Sequence, residues 1–374
     1  MQVPAFDITR QNQILEPAFQ QAFQTVLQHG HFILGDEVQK FEKQAADFLG
    51  VEYAVTVANG SDALVLSLMA LGIGPGDEVI VPSFTFFATA SSVSRVGAVP
   101  IFVDVSREDY NIDPDAVRQK ITPKTKAVIA VELFGMPAKM NELGKLANDY
   151  GLSIIEDAAQ ALGTVYGEQQ VGSIGTLGCF SFFPTKNLGC FGDGGMVTTN
   201  RADLAEKLRM LRVHGARRKY YHELLGINSR LDTIQAAFLN IKLPYVKSWI
   251  EKRRKIAEFY RQGLADISEI RLPADDSGHS YNQFTIQAEN RDELRAFLAE
   301  NGISTTIYYP LALHLQPVFT PLGYKPGDLP ISEALTGKVL SLPIFPELTL
   351  EEQRYIIEKI NYFYRPKTMG GNWR

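Results

Sequence analysis

The hydrophobic pattern changes texture along the chain. From about residue 50 to 200, short and nearly continuous apolar runs alternate with amphipathic stretches. Strands are predicted at Tyr53–Ala58, Glu78–Val81, Pro100–Val103, Ala127–Val131, Ser153–Glu156, Cys179–Phe182 and Gly195–Thr198. Runs this apolar suit strands buried on both faces. Between them, Ser61-Asp62 followed by Ala63–Leu71 reads as a capped helix stopped by Gly72, Gly74 and Pro75. Met140–Tyr150 sets Leu143, Leu146 and Ala147 on one face and closes on Gly151. Strand–helix alternation predicts an α/β fold, a mostly parallel sheet covered by helices.

After about residue 240 the pattern differs. Leu243–Leu264 reads as a long charged amphipathic helix, with Lys252-Arg253-Arg254-Lys255 on its wet side. Strands are predicted at Asn282–Gln287 and Ile303–Tyr309, with a helix at Arg291–Asn301 between them and a last helix at Leu350–Phe363. This reads as a smaller α+β domain over 246–374, following a large domain with an N-terminal arm over 1–245. The tail Lys367–Arg374 contains Gly-Gly, lacks periodicity and is expected to fray. No internal repeat or low-complexity tract is present.

Composition narrows the class. The chain has 374 residues, 45% hydrophobic and 21% charged, which is enough apolar material for a large core. Lys+Arg 37 against Asp+Glu 42 gives −5, with no basic run, so nucleic acid is not an expected partner. No apolar stretch reaches the roughly 18 residues of a membrane span. The opening Met1–Asp7 lacks the basic and apolar regions of a secretory signal. Two cysteines, Cys179 and Cys190, cannot build a disulfide framework, and no Cys/His metal spacing occurs. A reduced, cytoplasmic protein without a metal is expected.

Five segments carry candidate chemistry, each with a plainer alternative. Asn59-Gly60-Ser61-Asp62 ends a strand and opens a helix, which makes either an anion cradle or a simple N-cap. Glu156-Asp157-Ala158-Ala159-Gln160 puts an acidic pair at the carboxyl end of the sheet, where open α/β sheets bind ligands. Its Asp157 either faces a cation or caps a helix. Ser181-Phe182-Phe183-Pro184-Thr185-Lys186-Asn187-Leu188-Gly189 and Phe191-Gly192-Asp193-Gly194-Gly195 place a lysine amid aromatics and glycines. Desolvated, Lys186 becomes an amine nucleophile; otherwise it snorkels to the surface. Pro82-Ser83-Phe84-Thr85-Phe86-Phe87 offers three rings, two for the core and one to stack on a flat cofactor. Asn228-Ser229-Arg230-Leu231-Asp232 precedes a buried helix, with Arg230 at the surface as the alternative to a ligand contact. Together these supply an anion cradle, a stacking ring, a carboxylate and a lysine, the inventory needed to hold pyridoxal phosphate.

These segments, with Asn-Ser-Arg-Leu-Asp-Thr-Ile-Gln-Ala-Ala at 228–237, resemble the DegT family of pyridoxal-phosphate-dependent nucleotide-sugar aminotransferases of fold type I. The resemblance runs from the opening arm to about residue 360. It implies Lys186 as the Schiff-base lysine and proton shuttle, Asp157 on the pyridine nitrogen, Gln160 near the ring hydroxyl and Phe86 on the ring face. It implies Gly60, Ser61, Asp62 and Ser181 around the phosphate, and Asn228 reaching the neighbouring subunit's cofactor in a homodimer with shared active sites. Substrate contacts are expected from Phe32, Arg230, Tyr308, Tyr309 and His314. Relatives often carry His-Tyr-Pro where Tyr308-Tyr309-Pro310 stands, which leaves His314 as the nearby histidine.

The implied reaction moves an amino group from L-glutamate, released as 2-oxoglutarate, to a nucleotide-linked keto sugar in two half-reactions. The 214–237 segment and Ser280-Tyr281-Asn282-Gln283-Phe284 resemble the branch that aminates carbon 3 of UDP-linked sugars, with surface-glycan synthesis such as lipopolysaccharide as the setting. A dTDP-linked 3-keto-6-deoxyhexose or a carbon-4 ketone is the alternative. A silent ligand-binding sensor of the same fold is the non-enzyme alternative. The family's dehydratase branch has histidine at the lysine position, and Lys186 stands against it. A nicotinamide dehydrogenase would need a G-x-G-x-x-G after the first strand, and there is none.

Overall fold

A computed structural model describes residues 1–365; the expected frayed tail Lys367–Arg374 lies outside the described residues. Two helices open the chain, α1 (Thr9–His29) and α2 (Asp36–Leu49). The alternating region follows: β1 (Tyr53–Val57), α3 (Gly60–Ala70), β2 (Glu78–Pro82), α4 (Phe87–Arg95), β3 (Val99–Val103), α5 (Pro114–Lys120), β4 (Thr125–Val131), α6 (Met140–Tyr150) and β5 (Ser153–Asp157). Then come β6 (Leu177–Ser181), β7 (Gly195–Thr199), α7 (Ala202–Leu211) and α8 (Thr233–Lys242). The seven strands form one sheet in the order β1-β7-β6-β5-β4-β2-β3. All pairings are parallel except those of β7, which runs against both β1 and β6. The sheet is therefore mostly parallel, as its apolar strands predict.

Alternation along β2 explains the continuous apolar runs. Val79 and Val81 face one core with α3, α4 and α7, while Ile80 faces another with α5 and α6. Phe180 and Met196 face a third core, shared with α1, α2 and α8. Most strand residues therefore meet a helix layer, with Val99 and Lys126 at strand starts as exposed exceptions, and regular polar alternation has no place.

The smaller sheet joins β8 (Ile270–Arg271), β9 (Phe284–Ala288) and β10 (Val339–Leu342) in that order, antiparallel throughout. Its core takes side chains from α9 (Val246–Leu264), α10 (Arg291–Glu300) and α12 (Leu350–Tyr364); α11 (Pro330–Thr336) precedes β10. Val3 joins this core, and Arg10 forms a 2.7 Å ion pair with Glu352, so the first residues pack with the C-terminal part.

Three expectations need correction. Ile303–Tyr309 is not a strand; it touches sheet-like partners only at Val3↔Ile303 and Thr306↔Ser341. Arg253 is buried rather than wet, because its guanidinium donates to the carbonyls of Tyr281, Asn282 and Ile344 at 3.2, 3.3 and 2.8 Å. It ties α9 to the start of β9, so lost hydration is replaced by three acceptors. The cap of α3 is Asn59, not Ser61: its side chain accepts the Asp62 N–H at 2.8 Å. Backbone geometry decides this, since Asn59 is extended while Gly60 and Ser61 are already helical.

Candidate active site

The loops after β1, β2, β5 and β6 all leave the sheet at its carboxyl edge, so residues distant in sequence surround one cavity of about 590 Å³. Among the expected residues, Gly60, Ser61, Phe86, Asp157, Gln160, Ser181, Lys186, Tyr308 and Tyr309 line it. Glycine is required where β1, β6 and β7 converge. A Cβ on Gly60 would lie 2.8 Å from the Ser181 Cβ, and one on Gly195 would strike the Asn59 backbone. The Gly60 and Ser61 N–H groups, which have no intrahelical acceptor, thus lie at the cavity, while those of Asp62 and Ala63 are taken by Asn59.

Asp157 ends β5 and is buried, and no helix follows it, so the helix-cap alternative fails. Its carboxylate accepts the Thr89 hydroxyl at 2.8 Å and the Ala159 N–H at 3.4 Å. Burial pushes its pKa up, against the lowering effect of Thr89, Ala159 and the Lys186 ammonium. Lys186 is half-buried in the loop between β6 and β7. Burial pulls its amine down to about 8, while Asp157 raises it. Among the described residues no side chain forms an ion pair with it. A largely desolvated amine of this kind is a competent nucleophile.

Gln160 is buried and fixed at both ends of its carboxamide. Its Oε1 accepts the Phe134 N–H at 2.7 Å, and its Nε2 donates to the Tyr309 hydroxyl at 3.1 Å. Phe86 is 57% exposed and tilts 39° to Tyr309 at 6.2 Å between centroids. Of the three rings in its segment only Phe84 is fully buried; Phe87 is 42% exposed and packs on Phe319 at 5.8 Å, so the expectation of two core rings is half met.

Five expected residues lie away from the cavity. Asp62 lines a separate groove with Arg95 and Lys207. Phe32 and Asn228 are exposed, and Arg230 is half-buried, in the 30–35 and 226–232 segments. His314 is buried, which does not suit direct contact with a substrate: Ser83 Oγ lies 2.6 Å from its Nδ1 and Glu333 Oε1 lies 3.2 Å from its Nε2. It clasps the segment after Tyr309 to the exit of β2 instead. Conversely, Asn59, Thr85, Phe183, Asp193 and Gln283 line the cavity without having been singled out. All five lie inside the motifs that carry the resemblance; Thr89, the partner of Asp157, had no sequence signal.

Residues 13–361 match the DegT/DnrJ/EryC1/StrS aminotransferase family. The chain belongs to this family. The aminotransferase is 49% identical over 369 residues to the "Pleiotropic regulatory protein" of Geobacillus stearothermophilus, across 98% of this chain and 99% of the relative. It is 46% identical over 329 residues to the UDP-N-acetyl-3-dehydro-alpha-D-glucosamine 3-aminotransferase of Acidithiobacillus ferrooxidans, across 87% and 88%. Among solved structures, DesV of S. venezuelae in complex with a ketimine intermediate aligns with a TM-score of 0.95 at 43% identity, covering 97% of this chain and 98% of that one.

The family's cofactor is pyridoxal 5′-phosphate. The residues present fit it. An anion finds the α3 N-terminus and the Ser181 hydroxyl, a protonated ring nitrogen finds buried Asp157, and an aldehyde finds the Lys186 amine. No group of three or more His, Cys, Asp or Glu residues that could hold a metal occurs among the described residues. No described helix is long and apolar enough to cross a membrane.

Proposed function

We propose that this aminotransferase transfers an amino group from L-glutamate to carbon 3 of a nucleotide-linked keto sugar, with a UDP-linked sugar favoured. The observation that carries the chemistry is the pairing of the Lys186 amine and buried Asp157 in one cavity at the sheet's carboxyl edge. The substrate class rests on the 46% identity to a relative named as a UDP-sugar 3-aminotransferase. Work in the cytoplasm fits that substrate class.

When bound, pyridoxal phosphate supplies the electron sink and carries the amino group between the two half-reactions. Lys186 would be the residue that holds the cofactor's aldehyde, and its Nζ, when free, would carry the proton to and from the reacting carbon. Its pKa near 8 keeps a fraction of the amine neutral at working pH, which a base requires. Asp157 would keep the ring nitrogen protonated, and the Thr89 bond favours the charged form of its carboxylate. Gln160, fixed by Phe134 and Tyr309, would lie beside the ring. Gly60, Ser61 and Ser181 would hold the phosphate, and Phe86 would cover the ring. Tyr308 and Tyr309 form the wall that meets the sugar and limit water entry.

Among the described residues, no arginine lines the single-chain cavity, although glutamate and a nucleotide diphosphate are both anionic. This supports a homodimer in which exposed Asn228, with Arg230 and Phe32, completes the neighbour's site. Sheets on either side of the 245/246 boundary support a division into a large cofactor-binding domain and a smaller C-terminal one.

The test is spectrophotometric. L-glutamate should convert the absorption band of the loaded enzyme to that of the pyridoxamine form, and a 3-keto UDP-sugar should restore it. An unchanged band with glutamate removes the proposed donor. Restoration only by carbon-4 ketones or dTDP-sugars removes the proposed acceptor.

A further inference from the structure

Lys242, at the end of α8, is fully buried. Its Nζ donates to the Gly189 carbonyl at 2.9 Å. The ammonium lies 4.6 Å from the Phe191 ring centroid and 5.6 Å from that of Phe19. Phe19 and Phe191 meet edge to face at 4.9 Å, and Phe191 meets Phe238 at 4.6 Å. Among the described residues no carboxylate forms an ion pair with it, and burial pulls its amine down to about 8. A buried cation held by one carbonyl and aromatic faces costs stability compared with an apolar side chain of the same length. Packing alone therefore gives no reason for a lysine here.

The acceptor supplies one. Gly189 lies three residues after Lys186, in the loop that closes on itself so tightly that a Cβ at Gly189 would strike the Pro184 carbonyl. Within the loop, the Lys186 N–H donates to Phe183 O at 2.9 Å and the Cys190 N–H to Phe182 O at 2.8 Å. Its incoming half is fastened at Asn187, whose carboxamide donates to Leu162 O at 3.1 Å and Ser280 Oγ at 3.0 Å and accepts from Asn282 at 3.0 Å. From α8, Gln235 clamps Phe191 at both its N–H (2.8 Å) and its carbonyl (3.1 Å). Lys242 and Gln235 thus fasten the outgoing half of the lysine loop to one rigid helix.

We propose that Lys242 is a positioning residue for Lys186: its bond to Gly189 holds the loop from behind so that the catalytic amine stays in reach of its reaction partner. A loop freed at Gly189 can shift the amine by the order of 1 Å, enough to cost roughly 10- to 100-fold in rate.

The test compares Lys242→Met, which keeps the length and removes the donor and charge, with wild type. Three quantities are read: thermal midpoint, amide hydrogen exchange of residues 183–190 in cofactor-free protein, and the rate at which added pyridoxal phosphate becomes attached, followed by absorbance. None of these needs a known amino donor or sugar, so failure of the substrate reading leaves the test intact. Lys242→Met should fold with an unchanged or higher midpoint, exchange the loop amides faster, and attach the cofactor at least tenfold more slowly. Lys242→Gln, a shorter donor, should recover part of the rate. Wild-type attachment with unchanged loop exchange in Lys242→Met overturns the proposal. So does a collapse of the midpoint in both variants with no selective change in the loop, because Lys242 would then serve folding alone.

Discussion

Thr89→Val tests how the buried carboxylate of Asp157 is kept charged. Valine is close in shape to threonine, so the packing of α4 is preserved while the 2.8 Å bond to Asp157 Oδ2 disappears. Oδ2 is then without a donor among the described residues, and Asp157 keeps only the long 3.4 Å bond from Ala159 to Oδ1. A hydrogen bond to a charged acceptor contributes about 1.5–3 kcal/mol. Its loss should raise the carboxyl pKa of the cofactor-free protein further above the ordinary carboxylate range, since the Thr89 bond is the largest of the effects that lower it. The sign for stability follows from burial, which already holds the folded pKa above its ordinary value. The folded carboxyl keeps its proton longer than the unfolded one, so its contribution is complete below the unfolded pKa of about 3.9 and is lost as pH rises through the folded pKa. Raising the folded pKa further deepens the loss at neutral pH. Urea unfolding of cofactor-free protein should therefore show a deficit for Thr89→Val that widens as pH rises through the folded carboxyl's pKa, toward about 1.5–3 kcal/mol. ¹³C NMR of labelled aspartate reads the pKa directly. A deficit that stays equal from acid to neutral pH, with the carboxyl pKa unmoved, would refute the reasoning.

Other outcomes follow from the same geometry. With Lys186 lowered to about 8, capture of pyridoxal phosphate by cofactor-free protein should accelerate as pH rises through that value rather than through the ordinary lysine value of about 10.4. Because the folded pKa is lowered, stability should rise over the window from about 8 to the ordinary lysine value; Lys186→Ala should abolish the capture and remove the Lys186 share of that rise, leaving the share of buried Lys242, whose amine is also lowered to about 8. Gly60→Ala places a Cβ 2.8 Å from Ser181 Cβ, so the cradle must open by several tenths of an ångström. Cofactor affinity measured by absorbance titration should fall about tenfold, from lost alignment of the charge-assisted bonds. Mixing Lys186→Ala chains with Asn228→Ala chains should restore part of the activity lost by each; no recovery in verified mixed dimers would count against shared active sites.

Much of the large sheet was legible because its signal is local. A strand buried on both faces shows as an apolar run, and a tight loop shows as glycine and proline, whatever the rest of the chain does. The polar, glutamine-rich α1 gave no such signal, since its apolar face, with Leu15, Phe19 and Val26, is narrow. Ile303–Tyr309 looked like a strand because apolar residues in extended backbone read alike whether they pair or merely pass under a sheet. Arg253 looked wet because three of its neighbours are basic, and its three carbonyl acceptors come from residues 28 to 91 positions away.

The sequence by itself determined the parts: the both-face-buried strands, the glycine turns at their ends, and a lysine and an aspartate placed just beyond two of them. The tertiary structure decided which parts meet. The β5–β6 pairing, with Asp157 opposite Cys179, brings Asp157 and Lys186 to one edge across 29 residues of chain. It also set Thr89 behind the carboxylate, turned His314 inward to Ser83, brought Gln283 to the cavity, and put Lys242 under the lysine loop. Periodicity records what each residue's own element requires; contacts between elements depend on strand order and register, which no local pattern encodes.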